Sequence, residues 1–308
     1  MKTFDLCLAW NWKYDADFIH ILEIECVRQN CSLLQITPEN LEDRIHTLGS
    51  EEISFRAFFD RASDADPQFQ SLEEWVRQHR VFQLNPREQT LWTHDKTAVH
   101  LAFYESGLAT PYTYLLPRFT DQPELPILDL QLLGGRFAIK PATGGGGGEG
   151  VVLEAISIEQ VETERRKNPE NKYLIQAQLD PYYLEGRQAW FRILVCNGIS
   201  FPCWWDTQTH RYTAVTTIEI DEFKLTGIYE IAKKIITICK MDLFSFEIAL
   251  IPSGQFLVVD YLNDPIDLRL QTKAMDGVPD EIVHQIATEL VTRVKTNLRE
   301  YYLSIRSI

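Results

Sequence analysis

The segment Phe244–Asp264, FSFEIALIPSGQFLVVDYLND, combines a predicted β-hairpin with two acidic residues that could share a cation. Two alternating, β-rich runs flank the turn signal Pro252-Ser253-Gly254. If Ser253-Gly254 forms a two-residue loop, Glu247 lies directly opposite Asp260. Facing carboxylates are about 5 Å apart at Cβ and repel each other when unpaired. The pair therefore predicts a bound cation.

A third oxygen ligand for this cation is predicted at Asn263, which lies just past Asp260. A set of oxygen ligands without Cys or His is typical of Mg²⁺. Two alternatives remain: the acids form a solvated face, or a three-residue loop with a bulge breaks the pairing. The neighbouring residues are apolar, which favours a core sheet and a reason for the acids: Phe246, Ile248, Leu250, Leu257 and Val259.

A glycine run, Gly144–Gly148, lies between two apolar β segments and predicts a phosphate-binding loop that joins antiparallel strands. It is not a P-loop, because Glu149-Gly150-Val151 follows instead of Lys-Ser/Thr. It does not open a helix, as a dinucleotide fingerprint would, because the next residues are strand-like. Lys140 precedes the run and can reach phosphates as a point charge; the alternative is an exposed lysine before a proline.

Composition limits the classes of protein. The chain has 308 residues, 45% hydrophobic content and a net charge of −14, so a sizeable core is expected. The acidic balance without a Lys/Arg cluster argues against nucleic acid binding. No apolar run reaches the roughly 18 residues of a membrane span. The chain start reads as a strand and the six cysteines are scattered, so we expect a cytoplasmic enzyme with reduced, buried thiols.

The elements that must position these residues follow an α/β pattern with α+β lobes. Residues 1–90 alternate strand and helix, beginning with a strand at Phe4–Trp10, which predicts a parallel sheet covered by helices. Ligands bind such sheets at the carboxyl ends of the strands, where Asn11 and Arg61 are candidates, although both also suit ordinary loops. An apolar stripe predicts a long closing helix over Asp280–Tyr302.

The order of these motifs resembles the ATP-grasp superfamily, which includes D-alanine–D-alanine ligase, glutathione synthetase and RimK-like peptide ligases. The resemblance covers roughly residues 90–275, and residues 1–90 resemble the preceding domain of that superfamily only in β-α-β rhythm. It rests on these residues in this order: Asp95-Lys96, Gly107-Leu108, Pro111, Ile139-Lys140-Pro141, the glycine run, the segment LIQAQL, Phe191-Arg192, Glu247, Asp260 and Asn263.

The resemblance implies an ATP-grasp fold with a substrate domain at 1–90, a small lobe with the glycine flap at 91–180 and a large lobe with the metal site at 181–308. It also implies residue roles. ATP phosphates would be held by Lys96, Lys140 and a flap of Gly145, Gly146, Gly147 and Gly148. Adenine would lie against Gln176, Ala177, Gln178 and Leu179. Arg192 would contact the transferred phosphate or the acyl group, and Glu247, Asp260 and Asn263 would bind one or two Mg²⁺ ions.

Three positions depart from the superfamily pattern or leave alternatives. Gln176 stands where an acid is usual. The metal strand is one residue longer than acid-x-Asn, so Asn263 needs a bulge or bend to act as a ligand, and Asp264 is a rival. Arg269 lies where the family often holds a substrate anion, but a salt bridge to Asp267 is equally compatible.

The expected function is an ATP- and Mg²⁺-dependent ligase that activates a carboxylate as an acylphosphate for attack by an amine, or less often a thiol. Arg61, Arg192 and Arg269 suggest a small-molecule or peptide carboxylate as substrate. The oligomeric state cannot be read from the sequence, although homodimers are common among the related ligases. Two alternatives are a phosphotransferase with the same fold and a noncatalytic nucleotide-binding protein.

Overall fold

The structure of the protein is a computed structural model that describes residues 1–144 and 149–306. Gly145–Gly148, the residues of the predicted flap, lie outside the described residues. Within the described residues, no helix combines the length and the apolar character needed to cross a membrane. All six cysteines are buried and free, as predicted.

The first sheet is parallel, as the β-α-β rhythm predicts, with strand order β2-β1-β3-β4. Partner residues in the β1–β3 register run from Lys2 and Ile53 to Trp10 and Arg61, so the two strands end at the same edge. The elements of this region are β1 Lys2–Trp10, α1 Ala16–Arg28, β2 Leu33–Ile36, α2 Leu41–Gly49, β3 Ile53–Arg61, α3 Gln70–Gln78 and β4 Phe82–Leu84.

Two helices connect the first sheet to an antiparallel second sheet of order β5-β8-β6-β7. The strands on either side of the glycine run, β6 and β7, pair with each other, so the predicted strand–loop–strand arrangement is confirmed for the described residues. The elements are α4 Arg87–Thr93, α5 Lys96–Glu105, β5 Thr113–Leu116, β6 Phe137–Pro141, β7 Val152–Ala155, α6 Ile158–Lys167 and β8 Tyr173–Ala177.

The third sheet is antiparallel, with order β13-β12-β11-β14-β15. Its β11–β12 hairpin turns at Asn197-Gly198, the predicted position, where both residues have positive φ (51° and 78°). The elements are β9 Tyr183–Leu184, β10 Arg187–Gln188, β11 Trp190–Cys196, β12 Ile199–Trp205, β13 Tyr212–Ala214, α7 Thr217–Glu222, α8 Gly227–Cys239, β14 Leu243–Leu250, β15 Phe256–Val258 and α9 Asp280–Arg306.

The first and third sheets share one hydrophobic core. It includes Leu6 and Leu8 of β1, Leu194 of β11, and Ile286 and Leu290 of α9. Helix α9 packs against α1 and against strands of both sheets, because its apolar stripe can be buried on two sides. The second sheet has a core cluster of its own. The predicted boundaries near residues 90 and 180 stay a prediction.

A buried ion pair fixes the carboxyl end of β3 in this core. The Arg61 guanidinium donates to both carboxylate oxygens of Asp15 at 2.7 Å and to the Ile266 carbonyl at 3.0 Å. Both charged side chains are almost fully buried. Breaking a buried pair leaves one charge without compensation, which is more costly than losing the pair as a whole.

We expect Asp15→Asn to lower the free energy of unfolding by about 3–5 kcal/mol, because Arg61 would stay buried without a counter-charge. Urea denaturation measures this change. The control is Asp17→Asn, an exposed acid in the first turn of α1, which should cost less than about 1 kcal/mol. If the two substitutions lower the free energy of unfolding equally, breaking the Asp15–Arg61 pair costs no more than removing an exposed acid.

Candidate active site

The predicted hairpin exists, but its loop is longer than predicted. Strand β14 pairs with β15 so that Leu250 faces Phe256, and residues 251–255 form the loop. The Ile251 amide donates to the Gln255 carbonyl at 3.0 Å and closes this loop. The predicted two-residue loop at Ser253-Gly254 is therefore wrong, and with it the predicted register. The alternative of a three-residue loop with a bulge is confirmed, because residues 252–254 lie between the bonded Ile251 and Gln255.

A β-bulge nevertheless brings Asp260 beside Glu247. The Glu247 amide donates to the Asp260 carbonyl, whereas the Val259 amide donates to the Glu247 carbonyl, both at 2.9 Å. Val259 and Asp260 thus both lie opposite Glu247. The extra residue in this bulge compensates for the difference between the predicted and the observed register, so that Asp260 still lies beside Glu247. Ser245 then pairs with Asn263, so the bend required for Asn263 is present, and its Nδ2 lies 3.2 Å from Asp260 Oδ2.

Lys140 extends from the second sheet to the backbone beside these acids. It is the fourth residue of β6, and its Nζ donates to Gln176 Oε1 at 2.8 Å and to the Val259 carbonyl at 3.3 Å. Removal from water lowers the pKa of Lys140, an effect that the charges of Asp260 and Glu247 oppose. Burial alone would raise the pKa of Asp260, but Lys140 and Arg192 bring it below its ordinary value.

Glu247 lies among polar partners from the neighbouring strand β11. Its Oε2 accepts from Trp190 Nε1 at 2.9 Å, and its Oε1 lies 3.5 Å from Arg192 Nη1. Arg192 and Glu247 are direct cross-strand partners. Burial, followed by the charge of Asp260, raises the pKa of Glu247. The two acids therefore remain in an unfavourable arrangement despite their neighbours.

The Arg192 side chain is held in place by neighbouring side chains of the third sheet. Its Nε donates to Ser245 Oγ at 3.3 Å, and its guanidinium lies over the Trp205 ring, 4.8 Å from the centroid. The contact with Glu247 is long for a hydrogen bond, so the guanidinium fork is not closed by a bidentate carboxylate. The ring of Trp205 is thus the surface against which the Arg192 guanidinium packs.

Lys96 lies where the chain enters the glycine run. It is the first residue of α5, whose N-cap Asp95 accepts from the amides of Thr97 and Ala98. Its Nζ donates to the Gly144 carbonyl at 3.0 Å, and its amide donates to the Ala142 carbonyl at 2.8 Å. The two predicted phosphate-binding lysines therefore flank the segment that leads into this run.

The residues predicted to line adenine lie at the end of β8 and just beyond it. Gln176 is fully buried and faces Lys140, whereas Ala177 is half-buried and its amide donates to the Tyr112 carbonyl at 2.8 Å. Gln178 is exposed and Leu179 is half-buried. The segment 177–179 therefore has surface available for a ligand, whereas Gln176 belongs to the interior.

Two predicted substrate-binding arginines are already paired with carboxylates. Arg61 is held by Asp15 and has a side chain only 3% exposed, so it cannot reach a ligand in this structure. Arg269 pairs with Asp267 at 2.7 Å and with Asp276 at 2.9 Å, which is the salt-bridge alternative. The salt bridge to Asp267 was an alternative already read from the sequence, whereas the pattern of strand ends could not reveal Asp15, which is 46 residues from Arg61.

Asp264, the rival metal ligand, faces away from the two acids. Its Oδ2 accepts from Thr90 Oγ1 at 3.0 Å, and burial raises its pKa to about 6. It lines a small open cleft between the first sheet and the segment after β15. Most titratable side chains lining the cleft are acidic: Asp60, Asp64, Glu73 and Asp264, with Arg87 as a basic neighbour.

The donor set fits Mg²⁺ bound together with a phosphate ligand. Within the described residues, no group of three or more His, Cys, Asp and Glu side chains could hold a metal by itself. The set consists of two carboxylates and the Asn263 carboxamide. Mg²⁺ commonly takes one or two carboxylates and completes its octahedron with water and substrate phosphates. Burial and the charge of Asp260 raise the pKa of Glu247, so its negative charge is not fully compensated. A bound Mg²⁺ ion would supply the positive charge that compensates it.

Sequence reasoning missed several residues of this site, namely Trp190, Ser245, Tyr261 and His100. Trp190 is two residues before Arg192 on the same strand, so the period of two along a strand would have placed both on one face. Ser245 stands in the same relation to Glu247. No comparable signal marks His100, which lies on a helix far away in the sequence.

Comparisons with known proteins establish the fold. No family model and no curated protein matches the chain. Solved structures match it over nearly its full length. D-alanine–D-alanine ligase from Bacillus anthracis, complexed with ATP, has a TM-score of 0.62 and 11% identity, with 98% of this chain and 100% of that chain covered.

Two further solved structures agree. The ATP-grasp ligase PsnB, complexed with a minimal precursor, Mg and ADP, has a TM-score of 0.60 and 12% identity, with 95% and 97% coverage. A RimK domain ATP-grasp protein from Sphaerobacter thermophilus DSM 20745 has a TM-score of 0.60 and 17% identity, with 93% and 98% coverage. At such low identity the likeness shows the ATP-grasp fold alone, as the sequence predicted.

We expect Glu247→Gln to stabilise the metal-free protein at pH 8 by on the order of 2 kcal/mol, because a raised pKa means that the ionised form is disfavoured in the fold. The stability of the parent protein should fall as pH rises from the ordinary glutamate value through the raised pKa. That loss should be absent in the variant. Urea denaturation with a chelator at pH 5 and pH 8 measures both effects.

The matched control for this experiment is Glu154→Gln, since Glu154 is exposed and pairs only with exposed Arg136. It should change stability by less than about 0.5 kcal/mol at both pH values. If Glu247→Gln destabilises the protein equally at pH 5 and pH 8, the two acids are not held in an unfavourable arrangement.

Proposed function

We propose that this protein, which has the ATP-grasp fold, is an ATP- and Mg²⁺-dependent ligase that activates a substrate carboxylate and joins it to an amine. One observation carries the proposal: Lys140 from the second sheet donates to the Val259 carbonyl, directly before Asp260 in the third sheet, so that the charges of Asp260 and Glu247 act on it. This arrangement has cations for phosphate oxygens on one side and anions for a metal on the other. Solved structures of the same fold contain ATP, or Mg and ADP.

Lys140 and Lys96 would bind the phosphates. Two of the three N–H donors of Lys140 are occupied by the carbonyl oxygens of Gln176 and Val259, so the third is available to a phosphate oxygen. Lys96 uses one donor on the Gly144 carbonyl. Two positive charges would thus lie beside the segment that leads into the glycine run, and both would remain in place while negative charge develops in the transition state.

The metal would be held by Glu247, Asp260 and Asn263. When bound, Mg²⁺ would supply positive charge that neutralises the phosphate groups during transfer. Through the metal, the acids would orient the nucleotide against Lys140. Because the acids lie on the third sheet and Lys140 on the second, this arrangement supports binding of metal and nucleotide together.

Arg192 would orient the substrate carboxylate and then the acylphosphate. Its guanidinium is fixed by Ser245 and Trp205 and lies next to Glu247. Because Arg61 and Arg269 are already paired, we assign them no contact with substrate. With so few unpaired arginines, a polyphosphate substrate, as in the kinase alternative, receives no support from the site.

The acceptor would be an amine. The cleft beside Asp264 is lined mainly by acids, which repel a carboxylate and attract an ammonium group at the distances of a binding site. The ammonium group first gives one proton to water, and the neutral amine attacks the carbonyl carbon of the acylphosphate as the bond from that carbon to the phosphate oxygen breaks. The second proton leaves the new amide nitrogen with the departing phosphate. Inorganic phosphate is released.

The testing experiment measures thermal stability with a nonhydrolysable ATP analogue, with Mg²⁺, and with both. Stabilisation should require both ligands and reach about 2.7 kcal/mol at a concentration of about 100 Kd, which is a shift of several degrees. Release of ADP is then screened with carboxylates in the presence of hydroxylamine, which traps an acylphosphate as a hydroxamate. A product that keeps the phosphate would identify a phosphotransferase instead.

Lys140→Met should abolish the joint stabilisation and lower kcat by on the order of 10²–10³, because it removes one positioned charge from the transition state. The matched control is Lys167→Met at the exposed end of α6, which should leave both quantities unchanged. No response of the parent protein to any ligand combination would refute the proposed function.

A further inference from the structure

A line of buried hydrogen bonds runs inward from Lys140. Lys140 Nζ donates to Gln176 Oε1 at 2.8 Å, and Gln176 Nε2 lies 2.9 Å from the hydroxyl of Tyr261. The same hydroxyl contacts His100 Nδ1. We call Lys140, Gln176, Tyr261 and His100 the Gln176 network. Its members come from β6, β8, the segment after β15, and α5, so it joins the second sheet to the third across a helix.

The direction of every hydrogen bond in the Gln176 network follows from its first member. A lysine ammonium is a donor only, so Gln176 must present its oxygen to Lys140 and its NH₂ group to the other side. The NH₂ group then donates to the Tyr261 oxygen, with Thr113 Oγ1 at 3.2 Å as a second acceptor. The hydroxyl proton of Tyr261 is therefore left for His100 Nδ1.

His100 must accept this proton, which fixes its chemical form. An imidazole nitrogen that accepts carries no proton, so His100 is neutral with its proton on Nε2. Burial lowers the pKa of His100, which agrees with a neutral ring. The exposed fractions are 1% for Gln176, 3% for Tyr261 and 7% for His100, so water cannot readily replace a missing partner, and an incorrect orientation would be costly.

We propose that His100 and Tyr261 are positioning residues that hold the Gln176 carboxamide in the orientation that Lys140 requires. The inference rests on the proposed function only for its catalytic consequence. With the oxygen toward Lys140, the ammonium is held by two neutral acceptors and keeps its full charge for a phosphate. With the carboxamide reversed, two donors would face each other and Lys140 would be displaced.

The glutamine and the histidine are coupled in this arrangement. A carboxylate at position 176 has no proton to donate, so Tyr261 would turn its own proton toward that carboxylate. His100 would then lose its donor and would have to donate from Nδ1 instead. The neutral residue at position 176 and the Nε2-protonated form of His100 therefore require each other.

The first test needs no nucleotide. Nitrogen chemical shifts of ¹⁵N-histidine-labelled protein report which ring nitrogen carries the proton, and His100→Asn assigns the His100 signals by their loss. We expect an unprotonated Nδ1 in the parent protein and a proton on Nδ1 in Gln176→Glu. A protonated Nδ1 in the parent protein, or an unchanged His100 signal in Gln176→Glu, would overturn the proposal.

The second test measures binding of the ATP analogue with Mg²⁺. Asparagine can place an acceptor oxygen near the position of Nδ1, whereas leucine cannot, so His100→Asn should stay within about 3-fold of the parent affinity. His100→Leu and Tyr261→Phe should weaken binding by about 10-fold. The same two variants should raise the KM for ATP more than they lower kcat, because Lys140 is displaced rather than removed.

The control is Phe103→Leu, since Phe103 packs edge-on against the Tyr261 ring, with centroids 5.4 Å apart, without entering the hydrogen bonds. It should lower stability but leave the His100 signal and the nucleotide affinity unchanged. Equal losses of affinity in His100→Asn and His100→Leu would show a packing role only and overturn the proposal. A parent protein that binds no nucleotide would refute the proposed function, while the His100 signals would still decide the hydrogen-bond direction.

Discussion

The attraction between Lys140 and the acid pair Glu247–Asp260 is the interaction on which the site depends. Each charge is only partly compensated within its own sheet. Lys140 donates there to the neutral Gln176. Glu247 accepts from Trp190 and lies 3.5 Å from Arg192, but it also faces Asp260 across the bulge. Each sheet therefore carries a local electrostatic cost that the other relieves. The position of one sheet against the other is thus set by charge as well as by packing.

Much of the fold follows from local patterns in the sequence. The rhythm of the first sheet, the turn at Asn197-Gly198 and the strands around the glycine run were all predicted, because each depends on residues close together in the chain. The loop of the β14–β15 hairpin was not, because a turn signal at Pro252-Ser253-Gly254 fits several loop lengths. The bulge at Val259 and Asp260 shifts the pairing by one residue and so brings Asp260 beside Glu247 in spite of the longer loop. No local pattern indicated the position of this bulge.

The candidate site could be predicted only where residue types carry the chemistry. Lysines before a glycine run and acids on a core hairpin stand out by themselves. The carboxylates that decide whether an arginine is available are harder to read, because they can be distant in the sequence, as Asp15 is from Arg61, or one of several nearby acids, as for Arg269. Asp15 removes Arg61 from the surface, and Asp276 helps to hold Arg269. Likewise, nothing in the sequence connects His100 to Gln176, although three-dimensional contacts join them through one hydroxyl.

The core shared by the first and third sheets limits how the chain can be divided. Helix α9 is the last described element, yet its buried face packs against β1 and α1 near the beginning of the chain. A fragment that starts at residue 91 would expose the apolar stripe of α9 to water, and such a patch promotes aggregation. The first 90 residues and the third sheet should therefore be expressed as one unit. The second sheet has a core cluster of its own, but an exchanged copy would have to keep the residues that connect it to the third sheet, Lys140 and Gln176.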